Sequence, residues 1–120
     1  MLNLTQHIAT QEQIEAGVIE PTAEVKAEIQ KLLTFNSLEE TQEVKERAYK
    51  LAIIAKNHDA VRVMIGGAPF FMGHLESMLA MADISAHYAF SQRVVVETTT
   101  GDVVEKKAIF KHVGFVPPVE

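Results

Sequence analysis

The fold is decided by the stretch Val61-Arg62-Val63-Met64-Ile65-Gly66-Gly67-Ala68-Pro69. A run rich in β-branched residues ends in two glycines, and a proline then opens an amphipathic segment, which predicts a buried strand, a tight turn and a helix. Two adjacent glycines let the backbone approach a ligand closely, and free N–H groups at a helix start favour an anion. This stretch therefore predicts a binding place beyond a strand end.

Strand and helix patterns alternate on both sides of that stretch. Upstream, the patterns predict a strand at Leu2–Thr5, a helix from the Thr10/Gln13 capping box to about Gly17, a brief strand at 18–20, a helix opened by Pro21-Thr22, and a long helix from the Ser37/Glu40 box to about Asn57. Downstream, they predict a helix over Pro69–Ala82, a strand over Ile84–Phe90, a loop at Ser91-Gln92-Arg93, and a hairpin whose strands flank Thr100-Gly101-Asp102.

This order predicts an α/β fold of one domain over residues 1–120. We expect a three-layer, Rossmann-like, mostly parallel sheet with helices on both faces and a C-terminal antiparallel β-hairpin. The polar segment from Glu43 to Arg47 is expected to be a solvated helix face.

The composition narrows the class of protein. The net charge of −5 argues against duplex nucleic acid as a partner, because such binding depends on many Lys and Arg side chains. No apolar run is long enough to predict a membrane span, and no secretory signal is visible, so a cytoplasmic protein is expected. The absence of cysteine excludes thiolate chemistry, and no histidine pair has zinc-helix spacing, so neither a metal nor a cofactor is expected.

Three segments are expected to meet at the carboxyl edge of the parallel strands. They are Thr5-Gln6-His7, Gly66-Gly67-Ala68 and Ser91-Gln92-Arg93. Hydroxyls, a carboxamide, an imidazole, bare N–H groups and a guanidinium together suit a phosphate and a ribose. The alternative for the glycine pair is a turn that merely needs unusual backbone angles, and the alternative for His7 is a surface histidine without a role. His112 lies in an alternating end strand and is expected to be within reach of a partner subunit.

The two ends of the chain carry a family resemblance. The chain resembles small CRISPR-associated proteins with a CARF-like, Rossmann-type fold at the N-terminal residues 2–13 and again in Tyr88-Ala89-Phe90-Ser91-Gln92-Arg93 and Phe110-Lys111-His112-Val113-Gly114-Phe115. The matched positions are His7, Gly66, Gly67, Ser91, Arg93 and His112, whereas residues 36–57 have no match.

The resemblance implies a homodimer that binds a cyclic oligoadenylate second messenger across its two-fold axis. Some relatives of this kind are ring nucleases, which cleave the messenger without a metal through attack of a ribose 2′-hydroxyl. At the matched positions the resemblance implies that His7, Arg93 and His112 are catalytic and that Gly66, Gly67 and Ser91 bind the ligand. From the converging segments we also expect Thr5, Gln6, Ala68 and Gln92 to bind the ligand. Two alternatives stay open: a non-catalytic nucleotide sensor, and a protein-interaction domain whose hairpin forms a dimer.

Overall fold

The computed structural model describes residues 1–119 and has an α/β fold with nine elements of regular structure. They are β1 (Leu2–Asn3), α1 (Gln11–Glu15), α2 (Ala23–Leu33), a 3₁₀ turn (Glu39–Glu43), α3 (Val44–Asn57), β2 (Arg62–Ile65), α4 (Pro69–Met81), β3 (Ser85–Thr100) and β4 (Val103–Val116). No helix in this part of the chain has the length and apolar character needed to span a bilayer.

Local sequence signals set several element boundaries. Thr10 and Gln13 form the predicted capping box at the start of α1, and Thr22 caps α2. Pro69 occupies the first turn of α4, where its missing N–H has no intrahelical partner to lose. The long helix differs from the prediction, because the Ser37/Glu40 hydrogen bonds open a 3₁₀ turn and α3 itself begins only at Val44.

The four strands form one mixed sheet in the order β1-β2-β3-β4. β1 and β3 both run parallel to β2, with Leu2 opposite Val63 and Ile65 opposite Tyr88. β4 runs antiparallel to β3 and closes the predicted hairpin through Gly101, whose φ of 63° favours glycine. Two of the three strand pairs are parallel, as a mostly parallel sheet requires, but the antiparallel pair β3-β4 contains by far the most residues.

Helices are concentrated on one face of this sheet. Val63 and Ile65 belong to a large buried cluster with residues of α2, α3 and α4. Met64, which points to the opposite face, packs in a small cluster with Ala9 and Val18, on either side of α1. The strand order also has no reversal, so the described sheet lacks the switch point on which the predicted ligand crevice depended.

The predicted loop at residues 91–93 is wrong. β3 runs without interruption from Ser85 to Thr100, and Arg93 pairs with Phe110 in β4. A β-bulge between Phe90 and Ser91 shifts the register there but does not end the strand. Extended backbone on both sides of this segment, paired to a single partner strand, overrides its polar composition.

The hairpin projects from the helical body. We call residues 91–112 the arm. The radius of gyration is 17.0 Å, whereas a compact domain of this length has about 14 Å, and the longest dimension is 57 Å. All arm residues are exposed except Val94 and His112, which are half-buried.

Candidate functional site

A cavity of about 350 Å³ opens where β1 and β2 end. It is lined by Thr5, Gln6, His7, Ile8, Thr10, Gln13, Met64, Ile65, Gly66, Gly67, Tyr88 and Ala89. Two of the three predicted segments thus meet, because the parallel pairing of β1 with β2 brings their carboxyl ends to one edge. Among these lining residues there is no Lys, Arg, Asp or Glu, so the wall has no fixed charge and is mostly apolar, with several polar side chains set into it.

The loop from Thr5 to His7 is held by Asn3, which is fully buried. Asn3 Oδ1 accepts a hydrogen bond from the Thr5 N–H at 2.9 Å and lies 2.7 Å from Thr5 Oγ1. Asn3 Nδ2 donates to the His7 carbonyl at 2.8 Å. Because the His7 carbonyl is bonded inward, the backbone of the loop is fixed while the His7 residue remains exposed at the cavity rim.

A buried lysine fixes the same loop from the side of α2. Lys26 Nζ donates to the carbonyls of Thr5 and His7, both at 3.0 Å, and lies 3.3 Å from Glu20 Oε2. The Lys26 side chain is only 9% exposed, so these three acceptors replace the water that its ammonium has lost.

The carboxylate of Glu20 is the counter-charge of this network. Burial raises the pKa of Glu20, but hydrogen bonds from the Ala9 N–H and Asn3, together with the positive charge of Lys26, outweigh that effect and lower it overall. Glu20 Oε1 accepts from the Ala9 N–H at 2.7 Å and from Asn3 Nδ2. The network therefore ties both ends of residues 5–9 to the body.

The two glycines at the end of β2 have different structural reasons. Gly67 has a φ of +156°, and a Cβ there would lie 3.2 Å from Met72 Cε, so both the backbone and the packing favour glycine. At Gly66 a Cβ would make only an ordinary 3.7 Å contact with Thr5 Cγ2. α4 begins two residues after Gly67, which brings the positive end of its dipole to this edge of the sheet.

Tyr88 forms part of the cavity wall from β3. Its hydroxyl donates to Glu76 Oε1 at 2.6 Å. Burial raises the pKa of Tyr88, and the hydrogen bond and negative charge of Glu76 raise it further, to about 12. At neutral pH this phenol is a proton donor and not a base.

The remaining predicted site residues do not line the cavity. Ala68 is the N-terminal cap residue of α4, and Ser91, Gln92 and Arg93 lie in the arm. Arg93 is four residues beyond the cavity-lining Ala89, or about 13 Å along an extended strand. The predicted convergence of three segments is therefore corrected to two, because the third continues as paired strand.

His112 is the last residue of the arm, where the arm joins the body. Its backbone N–H donates to Glu12 Oε2 at 3.2 Å, and its ring packs edge-on against Phe115 at 5.0 Å. Its Nδ1 is buried without a hydrogen-bond partner in the described structure. His112 pairs with Ser91 across the hairpin, so both belong to the face of the sheet that carries α1.

Sequence reasoning missed the residues that hold the site, namely Asn3, Glu20 and Lys26. A signal for Lys26 was present, since it precedes Ile29 by three residues and Leu33 by seven and so lies on the buried stripe of α2. No local pattern distinguishes Glu20, because its partners Asn3 and Ala9 are 17 and 11 residues away. Asn3 bonds to its near neighbours Thr5 and His7, but its place in a predicted strand did not indicate this role.

Fold and cavity together define an α/β protein with an uncharged cavity at the carboxyl edge of two parallel strands. The chain belongs to the family described as the Uncharacterized protein MJ1673 family, whose model matches residues 1–116. No curated protein and no solved structure matches the chain.

Proposed function

We propose that this protein binds a cyclic oligoadenylate as a homodimer and cleaves it without a metal. The observation that supports the proposal best is the meeting of His7, Thr5 and Gln6 with the Gly66-Gly67 turn around one cavity. The ligand class comes from the resemblance to CRISPR-associated proteins with a CARF-like fold, and a role in antiviral defence belongs to the same proposal.

The size of the cavity agrees with one nucleotide. Its volume of about 350 Å³ lies at the small end of the range for ligand sites, about 300–1,000 Å³. A ring of several nucleotides must extend beyond it. Ala89, Ser91 and Arg93 alternate onto one face of β3, so that face leads from the cavity towards Arg93 and His112. In the proposal this is where further phosphates lie, with Arg93 as their cation.

The proposed cleavage uses only groups of the ligand and of the protein. The ribose 2′-oxygen forms a bond to the adjacent phosphorus, and the bond from phosphorus to the 5′-oxygen breaks. The proton of the 2′-hydroxyl passes to a neutral imidazole, for which His7 is the candidate, and the departing 5′-oxygen takes up a proton. The product is linear with a 2′,3′-cyclic phosphate, and most of the rate comes from holding the attacking oxygen in line.

The finer fold assignment is also part of this proposal. A Rossmann-like arrangement of three layers requires a layer on each face of the sheet. We assign the second, thinner layer to α1 with Ala9 and Val18, which pack on the face opposite α2, α3 and α4.

Incubation with cyclic tetra-adenylate and cyclic hexa-adenylate in the presence of EDTA tests the proposal. We expect linear products that end in a 2′,3′-cyclic phosphate, identified by mass spectrometry. His7→Ala should slow turnover more than it weakens binding. His58→Ala is the matched control, because His58 lies at the C-terminal end of α3 and does not line the cavity.

Two results would replace the proposal by an alternative. Tight binding of an unchanged ring would make the protein a sensor. No binding of any adenylate ring would favour the protein-interaction domain, a second candidate that the long exposed arm supports.

A further inference from the structure

The arm is exposed on both of its faces. One face carries Val95, Val104 and Phe110, which are 58%, 57% and 73% exposed, and we call these residues the outer strip. The other face carries Val96, Val103 and Ile109, which are also exposed. None of these six side chains belongs to the large or the small core cluster, so no described residue of the body covers them there.

A bare arm of this length is not expected to persist in water. An isolated two-stranded hairpin is marginally stable at best, because neither strand has a second neighbour and no core covers its side chains. Beyond Phe90, β3 pairs only with β4, so both strands are edges with unpaired backbone groups. Within residues 91–112 a single ion pair, Glu97 with Lys106, joins the two strands, and because both side chains are exposed it adds little stability.

We infer that a second copy of this chain covers the arm. This inference rests on the proposed function for its two-fold pair, and it adds the surface that forms the pair. A partner seated on the outer strip covers the face on which Phe110, the largest exposed apolar side chain of the arm, lies.

The charge distribution favours a copy of the same chain over nucleic acid. The arm has four cationic and three anionic side chains and therefore a net charge of +1. Because the whole chain has a net charge of −5, the body carries −6. A weakly basic arm fits the acidic body of an identical partner, whereas a nucleic acid would be repelled by that body. The alternating signs within the arm, Arg93 and Glu97 on one strand and Glu105 and Lys106 on the other, also permit arm-to-arm pairing.

The outer strip lies on the face of the sheet to which the cavity-lining Ala89 belongs. Val95 alternates onto the same face of β3 as Arg93 and Ala89, and Ala89 lines the cavity. Val95 is six residues beyond Ala89, or about 20 Å along the strand, so a two-fold axis through the outer strip turns the two cavity-bearing faces towards each other without joining the cavities.

The test is the mass in solution without any ligand, measured by light scattering after size exclusion at about 50 μM protein. We expect twice the chain mass for the wild type and the single chain mass for Phe110→Lys with an unchanged circular dichroism spectrum. Lys107→Ala is the control and should stay paired, since it removes a charge but no apolar surface. A second variant replaces residues 93–110 by a short Gly-containing turn and should also have the single mass.

A wild type that has the single chain mass at this concentration, or an arm-deleted variant that stays paired, would overturn the inference. Arm-dependent binding of a labelled duplex or single strand by single chains would assign the arm to nucleic acid and overturn it as well. These outcomes are distinguishable from those of ring cleavage. A paired protein that leaves the ring uncut refutes the catalytic proposal and not the arm interface. Single chains that cut the ring refute the arm interface and the homodimer but not the cleavage.

Discussion

Replacement of Lys26 by methionine is the sharpest test of how the cavity is held. Methionine keeps most of the side-chain volume but removes the ammonium that bridges the Thr5 carbonyl, the His7 carbonyl and Glu20. Breaking a buried ion pair costs about 3–5 kcal/mol, because the remaining charge and acceptors stay buried without a partner. Glu20 is 24% exposed and keeps its Ala9 and Asn3 donors, so we expect the lower end, about 3 kcal/mol.

The expected loss is large enough to measure by urea unfolding followed by circular dichroism. With a slope of about 1.5 kcal/mol/M, the midpoint should fall by about 2 M. Lys50→Met is the matched control: its partner is Glu46 and both side chains are more than half exposed, so the cost should stay within about 0.5 kcal/mol. Equal midpoints for the Lys26 and Lys50 variants would refute the role of the network. In Lys26→Met we also expect weaker ligand binding, since residues 5–7 lose their fixed backbone.

Three further predictions concern the same region. The lowered pKa of Glu20 means that its carboxylate form stabilises the fold. This contribution is complete above the ordinary glutamate pKa of about 4.3 and is lost as pH falls through the lower pKa of the folded state. In Glu20→Gln it should therefore disappear from the acid limb of a curve of stability against pH. Gly67→Ala should lower the free energy of unfolding by more than about 1 kcal/mol, whereas Gly73→Ala, inside α4 with open space around it, should raise it by about 0.5–1 kcal/mol; two changes of the same sign would contradict the backbone argument. Thr10→Ala removes the side-chain cap of α1 and should cost about 1 kcal/mol in thermal unfolding, with no loss if the capping box is dispensable.

The elements that the sequence predicted correctly depend on neighbours in the chain. The capping box of Thr10 and Gln13, the proline start of α4 and the Gly101 turn each involve atoms within a few residues. The strand at β2, its glycine turn and the helix after it follow from the same short-range rules. The alternation of strands and helices was therefore enough to predict the α/β class and the C-terminal hairpin.

Part of the candidate site could be predicted for the same reason. Once β1 and β2 are parallel neighbours, the segments after them must share an edge, and the cavity is lined by Thr5, Gln6, His7, Gly66 and Gly67. The roles of these residues in binding and cleavage remain predictions.

Other features were decided only by the tertiary structure. Residues 91–93 look like a loop by composition, yet backbone pairing with residues 110–112 makes them strand. Arg47 looks like part of a solvated face, but it is buried, donates to the Thr34 carbonyl at 2.6 Å and lies 4.3 Å from the centre of the Phe35 ring.

The local sequence of this chain thus determined most of its helices, strands and turns, since those preferences are energies between near neighbours, but not the strand at residues 91–93 or the start of α3. Which strand is extended by a distant partner, and which charge is buried against which carbonyl, depends on contacts between residues far apart in the chain. Lys26 shows the difference. Its spacing from the apolar residues of α2 predicts its place on the buried stripe, but only the packing of α2 against the end of β1 brings its three acceptors to it.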